Sequence, residues 1–294
     1  MLVATLIANP ANPVLTPELA HSVSTALDAT KLYWLADGVA CDIIVPDKIS
    51  ESEATEFLST ALQNQPIDYI IQDANARRKT LLIADMDSTM IGQECIDELA
   101  DVVGLKAHVS AITARAMNGE IPFESALRER VALLKGLPAS VVSQVINERI
   151  TLTPGGRELI ATMKARGGYT ALVSGGFTCF TNPVAAMLGF DENHANLLIE
   201  ENGLFSGFVG EPILGKQAKA DALLAICARL GISPDAALAV GDGANDLGMI
   251  DIAGSGVALH AKPSVAAQAR HRINYSDLTA LLYMQGYRKA DFAG

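Results

Sequence analysis

Positive charge is scarce in this sequence of 294 residues: 22 lysines and arginines stand against 33 aspartates and glutamates, for a formal charge of −11. A surface of that sign disfavours nonspecific contact with nucleic acid or an anionic membrane. An anionic ligand then needs a local cluster of basic side chains or a bound cation. Cysteine is scarce too. Cys41, Cys95, Cys179 and Cys227 lie far apart with no CxxC pair, which argues against a thiolate zinc site and reads as free thiols in a reducing compartment. The five histidines are equally scattered. No apolar run reaches the roughly 18 residues of a membrane span. The start, MLVATLIANPAN, lacks the basic residues and long apolar core of a secretion signal. A protein of the cytoplasm is expected.

Apolar residues are abundant. They make up 50% of the chain while charged residues make up 19%, enough for one large or two ordinary folded domains. The first seventy-odd residues have their own rhythm. LVATLIA reads as a strand, Thr16-Pro17 starts a helix, and KLYWLADGVACDIIV reads as two strands around an Ala-Asp-Gly turn. Ser50 and Glu53 form a capping box for ESEATEFLSTALQ, and IDYIIQ is a last strand. The order βαββαβ is the ferredoxin-like pattern. The polar stretch DANARRK, residues 73–79, reads as a linker.

From Thr80 onward strands alternate with helices, the signature of a Rossmann-like parallel sheet covered on both faces. LLIAD, YTALVS, ALAVGD and GVALH are the strand candidates. Between the first two, residues 94–149 read as about four helices punctuated by Gly104, Gly119 and Gly136, and ANLLIEENGLFSGFVG reads as a β-hairpin. Met117, Met163 and Met187 are assigned to the core.

The strand LLIAD breaks into two carboxylates, Asp85 and Asp87, one residue apart. Like charges about 4 Å apart repel by roughly 4 kcal/mol at an effective dielectric of 20. Ligands of open α/β sheets bind beyond the carboxyl ends of the strands, and the other strands also end in polar residues there. YTALVS ends in Ser174 before Gly175 and Gly176; ALAVGD ends in Asp242 before Gly243, Asn245 and Asp246. Several carboxylates at one edge call for a cation, and an all-oxygen site suits Mg²⁺. In FESALRERVALLKGL, Phe123, Leu127, Arg130 and Leu134 share a helical face, and an arginine on an apolar stripe needs a partner such as a carboxylate. Each feature has a plain alternative: a turn or N-cap for Asp87-Ser88, a turn at Ser174-Gly-Gly, a cap glutamate as partner of Arg130. Pattern alone does not separate Lys219 from its neighbour Lys216.

Taken together, DMDST at 85–89, Ser174, Lys219 and GDGAND at 241–246 resemble the four motifs of the haloacid dehalogenase-like (HAD) superfamily, in order, over residues 80–294. GQECIDELA, FESALRERVALLKGL, TPGG, LVSGGF and VGDGANDLGM are similar to its phosphoserine phosphatase family. The resemblance implies a HAD-like core at 80–294, a helical-bundle cap inserted at 92–150, and an ACT-like, ferredoxin-like domain at 1–75. It further implies hydrolysis of O-phosphoserine, with Asp85 as nucleophile and Asp87 as acid, then base. Asp85, Asp242 and the Asp87 carbonyl would bind Mg²⁺, with Asp246 behind them. Ser174 and the Gly175 amide would hold phosphate, Lys219 would neutralise its charge, and Asn245 would contact it or the substrate. Glu94 would pair with the substrate ammonium and Arg130 with its carboxylate. The N-terminal segment would bind an amino acid or join two copies into a homodimer; Cys95 reads as a packed thiol. The enzymatic alternative is another small phosphomonoester such as phosphothreonine, and the non-enzymatic one an amino-acid sensor. Nucleic acid and membrane are not expected partners.

Overall fold

The computed structural model describes residues 1–117 and 120–294, so Gly119 and the Met117 side chain lie outside the described residues. The amino-terminal segment forms β1 (Leu2–Ala8), α1 (Pro17–Ala26), β2 (Leu32–Ala36), β3 (Ala40–Ile44), α2 (Glu51–Ala61) and β4 (Ile67–Asp73). Local chemistry accounts for both helix starts. Thr16 Oγ1 accepts from Leu19 N, with Pro17 in the first turn. Ser50 and Glu53 cap each other reciprocally. The strands form an antiparallel sheet in the order β2-β3-β1-β4. Side chains alternate across it: Ala4, Leu6 and Ala8 pack under the two helices. Ile7 joins Leu35, Ala40 and Ile70 in a cluster that runs on into Leu281 and Met284 of the remaining chain.

Further ties cross that boundary. Asp68, buried on β4, accepts the backbone N–H groups of Asn274, Tyr275 and Ser276 at 2.7, 3.1 and 2.9 Å. Residues 73–79 are anchored rather than slack. Arg77 pairs with buried Asp42 at 2.8 Å, and the Lys79 ammonium donates to the Asp235 carbonyl at 2.8 Å. Their polarity, which reads as a linker, serves these contacts instead.

The rest of the chain continues with β5 (Leu81–Ala84), α3 (Cys95–Val102), α4 (Lys106–Met117), α5 (Phe123–Ala132), α6 (Val141–Glu148), α7 (Gly156–Ala165) and β6 (Tyr169–Phe177). Then come α8 (Thr178–Leu188), β7 (Glu192–Asn196), β8 (Leu198–Glu201), β9 (Leu204–Val209), α9 (Lys216–Leu230) and β10 (Ala237–Gly241). The last elements are α10 (Leu247–Ile252), β11 (Ser255–Leu259), α11 (Pro263–Ala266), β12 (His271–Ile273) and α12 (Ala280–Tyr283). Six strands form one parallel sheet in the order β12-β11-β10-β5-β6-β7. Every residue of β5 is buried, because Leu82 and Ala84 face one helical layer while Leu81 and Ile83 face the other. Met163 is buried in the first of these layers and Met187 packs against it.

Helices α3 to α6 stand off the sheet on two adjoining segments. Ile91 bridges Leu152, and Gly92 N donates to the Thr151 carbonyl at 3.0 Å. The hairpin β8–β9 turns at Asn202 and Gly203, both at positive φ as a type I′ turn requires. It also grips the helical group. Gly136 N donates to Phe205 O at 2.8 Å and Phe205 N to Leu137 O at 2.9 Å.

Candidate active site

β5 lies between β10 and β6, so the residues that follow or end these three strands meet at one edge. Asp85 follows β5, and its Oδ1 accepts the Met86 N–H at 2.7 Å. Lys219, in the first turn of α9 and 2% exposed, places its ammonium 2.6 Å from Asp85 Oδ1 and 2.6 Å from Asp246 Oδ1. Asp246 Oδ2 accepts from Gly243 N at 2.9 Å, which folds the loop after β10 back on itself. Asp242 accepts from the Thr89 hydroxyl at 3.2 Å. One carboxylate oxygen each from Asp85, Asp242 and Asp246 lie within 4.8 Å of one another. Three carboxylates around one ammonium leave excess negative charge, and this all-oxygen donor set fits a small, hard divalent cation. Asp87 contributes no side-chain oxygen to this group; its Oδ1 accepts from the start of α3 instead.

Asp87 sits in an irregular turn. Ser88 has φ +54°, a left-handed conformation that is strained for a residue with a side chain. The turn sends Asp87 Oδ1 to the N–H of Cys95 at 3.0 Å and the Ser88 hydroxyl to Glu94 at 2.6 Å. Facing it, β6 does not turn after Ser174. It runs extended through Gly175 and Gly176 to Phe177, with its pairing to β7 interrupted. Ser174 Oγ accepts from Gly176 N at 2.9 Å. A Cβ on Gly176 would lie 3.0 Å from Asp87 Oδ2 and 3.1 Å from Ser174 Oγ, so the missing side chain is what leaves a gap there. Asn196, buried where β7 ends, donates to Gly175 O at 2.9 Å and accepts from Leu214 N at 2.7 Å.

Electrostatics follow from burial. Desolvation, then the Asp246 charge, raises the pKa of Asp85 well above the ordinary carboxylate range, with Lys219 opposing. Burial and then Glu94 push Asp87 up to about 7. Burial and then Asp246 push Asp242 up to about 6. Lys219 is disfavoured by burial, yet Asp246 and Asp85 hold its pKa above the ordinary lysine value. Burial likewise raises the Cys95 thiol, which is therefore inert packing.

The helical group closes over this edge and leaves a cavity of about 310 Å³. Glu94, Arg130 and Phe123 line it from above, with Asn245, Ser174 and Gly175 below. Lys216 also reaches the cavity but is exposed, whereas Lys219 is the buried lysine at the carboxylates. Arg128 and Glu129 point away, to Glu211 and Arg115. Arg130 makes no ion pair within 4.0 Å among the described residues; its Nε and Nη1 donate to the Ala126 carbonyl and the Thr113 hydroxyl, at 3.2 and 3.1 Å. The sequence reading missed the parts of Thr89, Gly176 and Asn196. Thr89 lies inside DMDST and Gly176 inside Ser-Gly-Gly, so both had a signal; Asn196 had none.

The pattern of the haloacid dehalogenase-like hydrolases matches residues 82–251. The phosphoserine phosphatase of Albidiferax ferrireducens is 48% identical over 207 residues, covering 69% of this chain and 87% of that protein. A HAD family hydrolase from Salmonella enterica has a crystal structure similar over 97% of this chain and 98% of its own, with TM-score 0.85 and 30% identity. The structure of a probable phosphoserine phosphatase from Vibrio cholerae, in unliganded form, covers 99% of this chain and 88% of its own at TM-score 0.79 and 32% identity.

Proposed function

Since the chain belongs to the haloacid dehalogenase-like hydrolases, we propose that its cavity hydrolyses O-phospho-L-serine to L-serine and phosphate. The observation that carries this is the facing of two sites across one cavity: Asp85, backed by Lys219, and Ser174 on the sheet edge, Glu94 and Arg130 on the helices above. The lower set suits a phosphoryl group, and the upper pair of opposite charges suits the ammonium and carboxylate of an amino acid.

Ser174 and the Gly175 amide take phosphoryl oxygens while Lys219 balances their charge. Asp85 attacks phosphorus in line, and the bond from phosphorus to the serine oxygen breaks. Asp87, protonated, gives its proton to that oxygen. As carboxylate it then takes a proton from water, which attacks the phosphorus of the aspartyl-phosphate; the Asp85–phosphorus bond breaks and phosphate leaves. Asn245, lining the cavity beside the loop after β10, adds a donor for the phosphate or substrate. The overall reaction consumes one water. Hydrolases of this family use a metal ion. Asp85, Asp242 and the Asp87 carbonyl would hold Mg²⁺, with Asp246 supporting Lys219 behind them; bound there, it would supply countercharge for the phosphoryl oxygens.

The division that accompanies this reading is a catalytic unit at 80–294, a cap at 92–150 and an ACT-like unit at 1–75, all in the cytoplasm. The order and pairing of the first four strands support the last part, and a homodimer through it is the assembly we favour. Among the described residues no helix is long and apolar enough to cross a membrane.

The test is a steady-state assay with phosphoserine, phosphothreonine and a sugar phosphate, with and without Mg²⁺. Preferred turnover of phosphoserine, lost on chelation and in Asp85→Asn with the fold retained, is the expected result. Near-normal activity of Asp85→Asn would overturn the mechanism. Preference for phosphothreonine would overturn the substrate.

A further inference from the structure

Helix α4 turns two hydroxyls to its neighbours from one face, Ser110 and Thr113, three residues apart. Ser110 donates to Asp97 Oδ2 on α3 at 3.3 Å, and Thr113 Oγ1 accepts from Arg130 Nη1 on α5 at 3.1 Å. One face of α4 thus stands between a carboxylate and a guanidinium that do not touch. Asp97 is three residues beyond Glu94, but unlike Glu94 it does not line the cavity. Its Oδ1 is buried and has no hydrogen-bond partner among the described residues. An acceptor left in that state is destabilising. Packing alone does not call for a carboxylate there.

What Asp97 does face is the charge of Arg130. Burial disfavours the charged guanidinium, and of the carboxylates that oppose this effect Asp97 is the strongest, ahead of Glu94 and Asp87. Arg130 is also held mechanically. Nε is spent on the Ala126 carbonyl and Nη1 on Thr113, and among the described residues Nη2 has no partner. The guanidinium is therefore fixed by its own helix and by Thr113, which shares the cavity wall with it, and has donor capacity left over.

We propose that Asp97 and Thr113 are positioning residues for Arg130: Thr113 fixes one terminal nitrogen, Asp97 supplies countercharge from behind the cavity wall, and Ser110 ties Asp97 to the helix that carries Thr113. They make the site selective for a carboxylate-bearing phosphomonoester. Because Asp97 acts from outside the cavity, it stabilises the free guanidinium without competing for the face that a substrate carboxylate needs. This inference rests on the assignment of Arg130 to the substrate carboxylate.

The test compares phosphoserine with phosphoethanolamine, which keeps the phosphate and ammonium but lacks the carboxylate. The latter is followed as substrate or as competitive inhibitor. Asp97→Asn keeps the shape and an acceptor for Ser110 but removes the charge; Thr113→Val keeps the shape but removes the acceptor. Each should raise KM for phosphoserine by about tenfold with kcat within about twofold, and leave the constants for phosphoethanolamine unchanged. Thr113→Ser should restore the wild-type KM. Equal changes for both compounds, or none, in folded variants would overturn the proposal. If Asp97→Asn does not fold, the Thr113→Val and Thr113→Ser pair decides alone. Wild-type protein inactive on phosphoserine would instead overturn the substrate assignment itself.

Discussion

Asp87 Oδ1 accepts the backbone N–H of Cys95 at 3.0 Å. Cys95 opens α3, and Glu94, which stands at the cap position of that helix, makes no capping bond of its own. Asp87 therefore does the capping for the first helix above the sheet edge. In the proposed mechanism, proton transfer and the seating of α3 share this one side chain.

Asp87→Asn should separate the two duties. The amide oxygen still accepts from Cys95, but the group no longer exchanges a proton with substrate or water. Turnover of phosphoserine is expected to fall by about 10²–10⁴-fold, with the melting temperature near that of the wild type. A variant that retained activity would remove Asp87 from the chemistry.

Gly176→Ala should inactivate without unfolding. The new Cβ stands 3.0 Å from Asp87 Oδ2 and 3.1 Å from Ser174 Oγ, inside the gap that the proposed mechanism gives to a phosphoryl oxygen. A displacement of about 1 Å in such a site costs about 10²-fold in rate. Steady-state kinetics beside a thermal melt checks this; unchanged kinetics would show that the gap is not used.

His271, buried on β12, gives a pH signature remote from the chemistry. Burial, then the charges of Arg270 and Lys79, push its pKa down to about 4 from the ordinary 6.5. Between those values the unfolded chain binds a proton that the folded chain does not, so stability falls as pH drops from 6.5 to about 4. The loss attributable to this side chain is about 3 kcal/mol at the acid end. Denaturant melts of wild type and His271→Gln across that window should diverge accordingly, with the flatter profile in the variant.

Much of this architecture is legible from periodicity and punctuation. The buried strands that end in Asp85, Ser174 and Asp242 announce their common edge, and the caps at Thr16 and Ser50 announce their helices. Strands β7 and β12 do not show. Glu192–Asn196 is a polar edge strand, and His271–Ile273 is three residues long, too short for an alternation to register. Asn196 and Thr113 act on partners distant in the chain, Gly175 and Arg130, and no local pattern encodes that. Residues 73–79 mislead for a related reason: Arg77 and Lys79 look like solvated linker charges until Asp42 and the Asp235 carbonyl are brought to them.

Among the ties of the helical group are the Ile91–Leu152 bridge and the pairing of Phe205 with Gly136 and Leu137. The hairpin β8–β9 belongs to neither of the two large sheets, so its pairing with Gly136 and Leu137 makes it part of the roof rather than of the floor. Glu94 lies close to the Ile91–Leu152 bridge in the chain, while Phe123 and Arg130 stand on the helix before Gly136 and Leu137. Glu94, Phe123 and Arg130, which line the cavity from above, therefore hang from segments at both ends of the helical group.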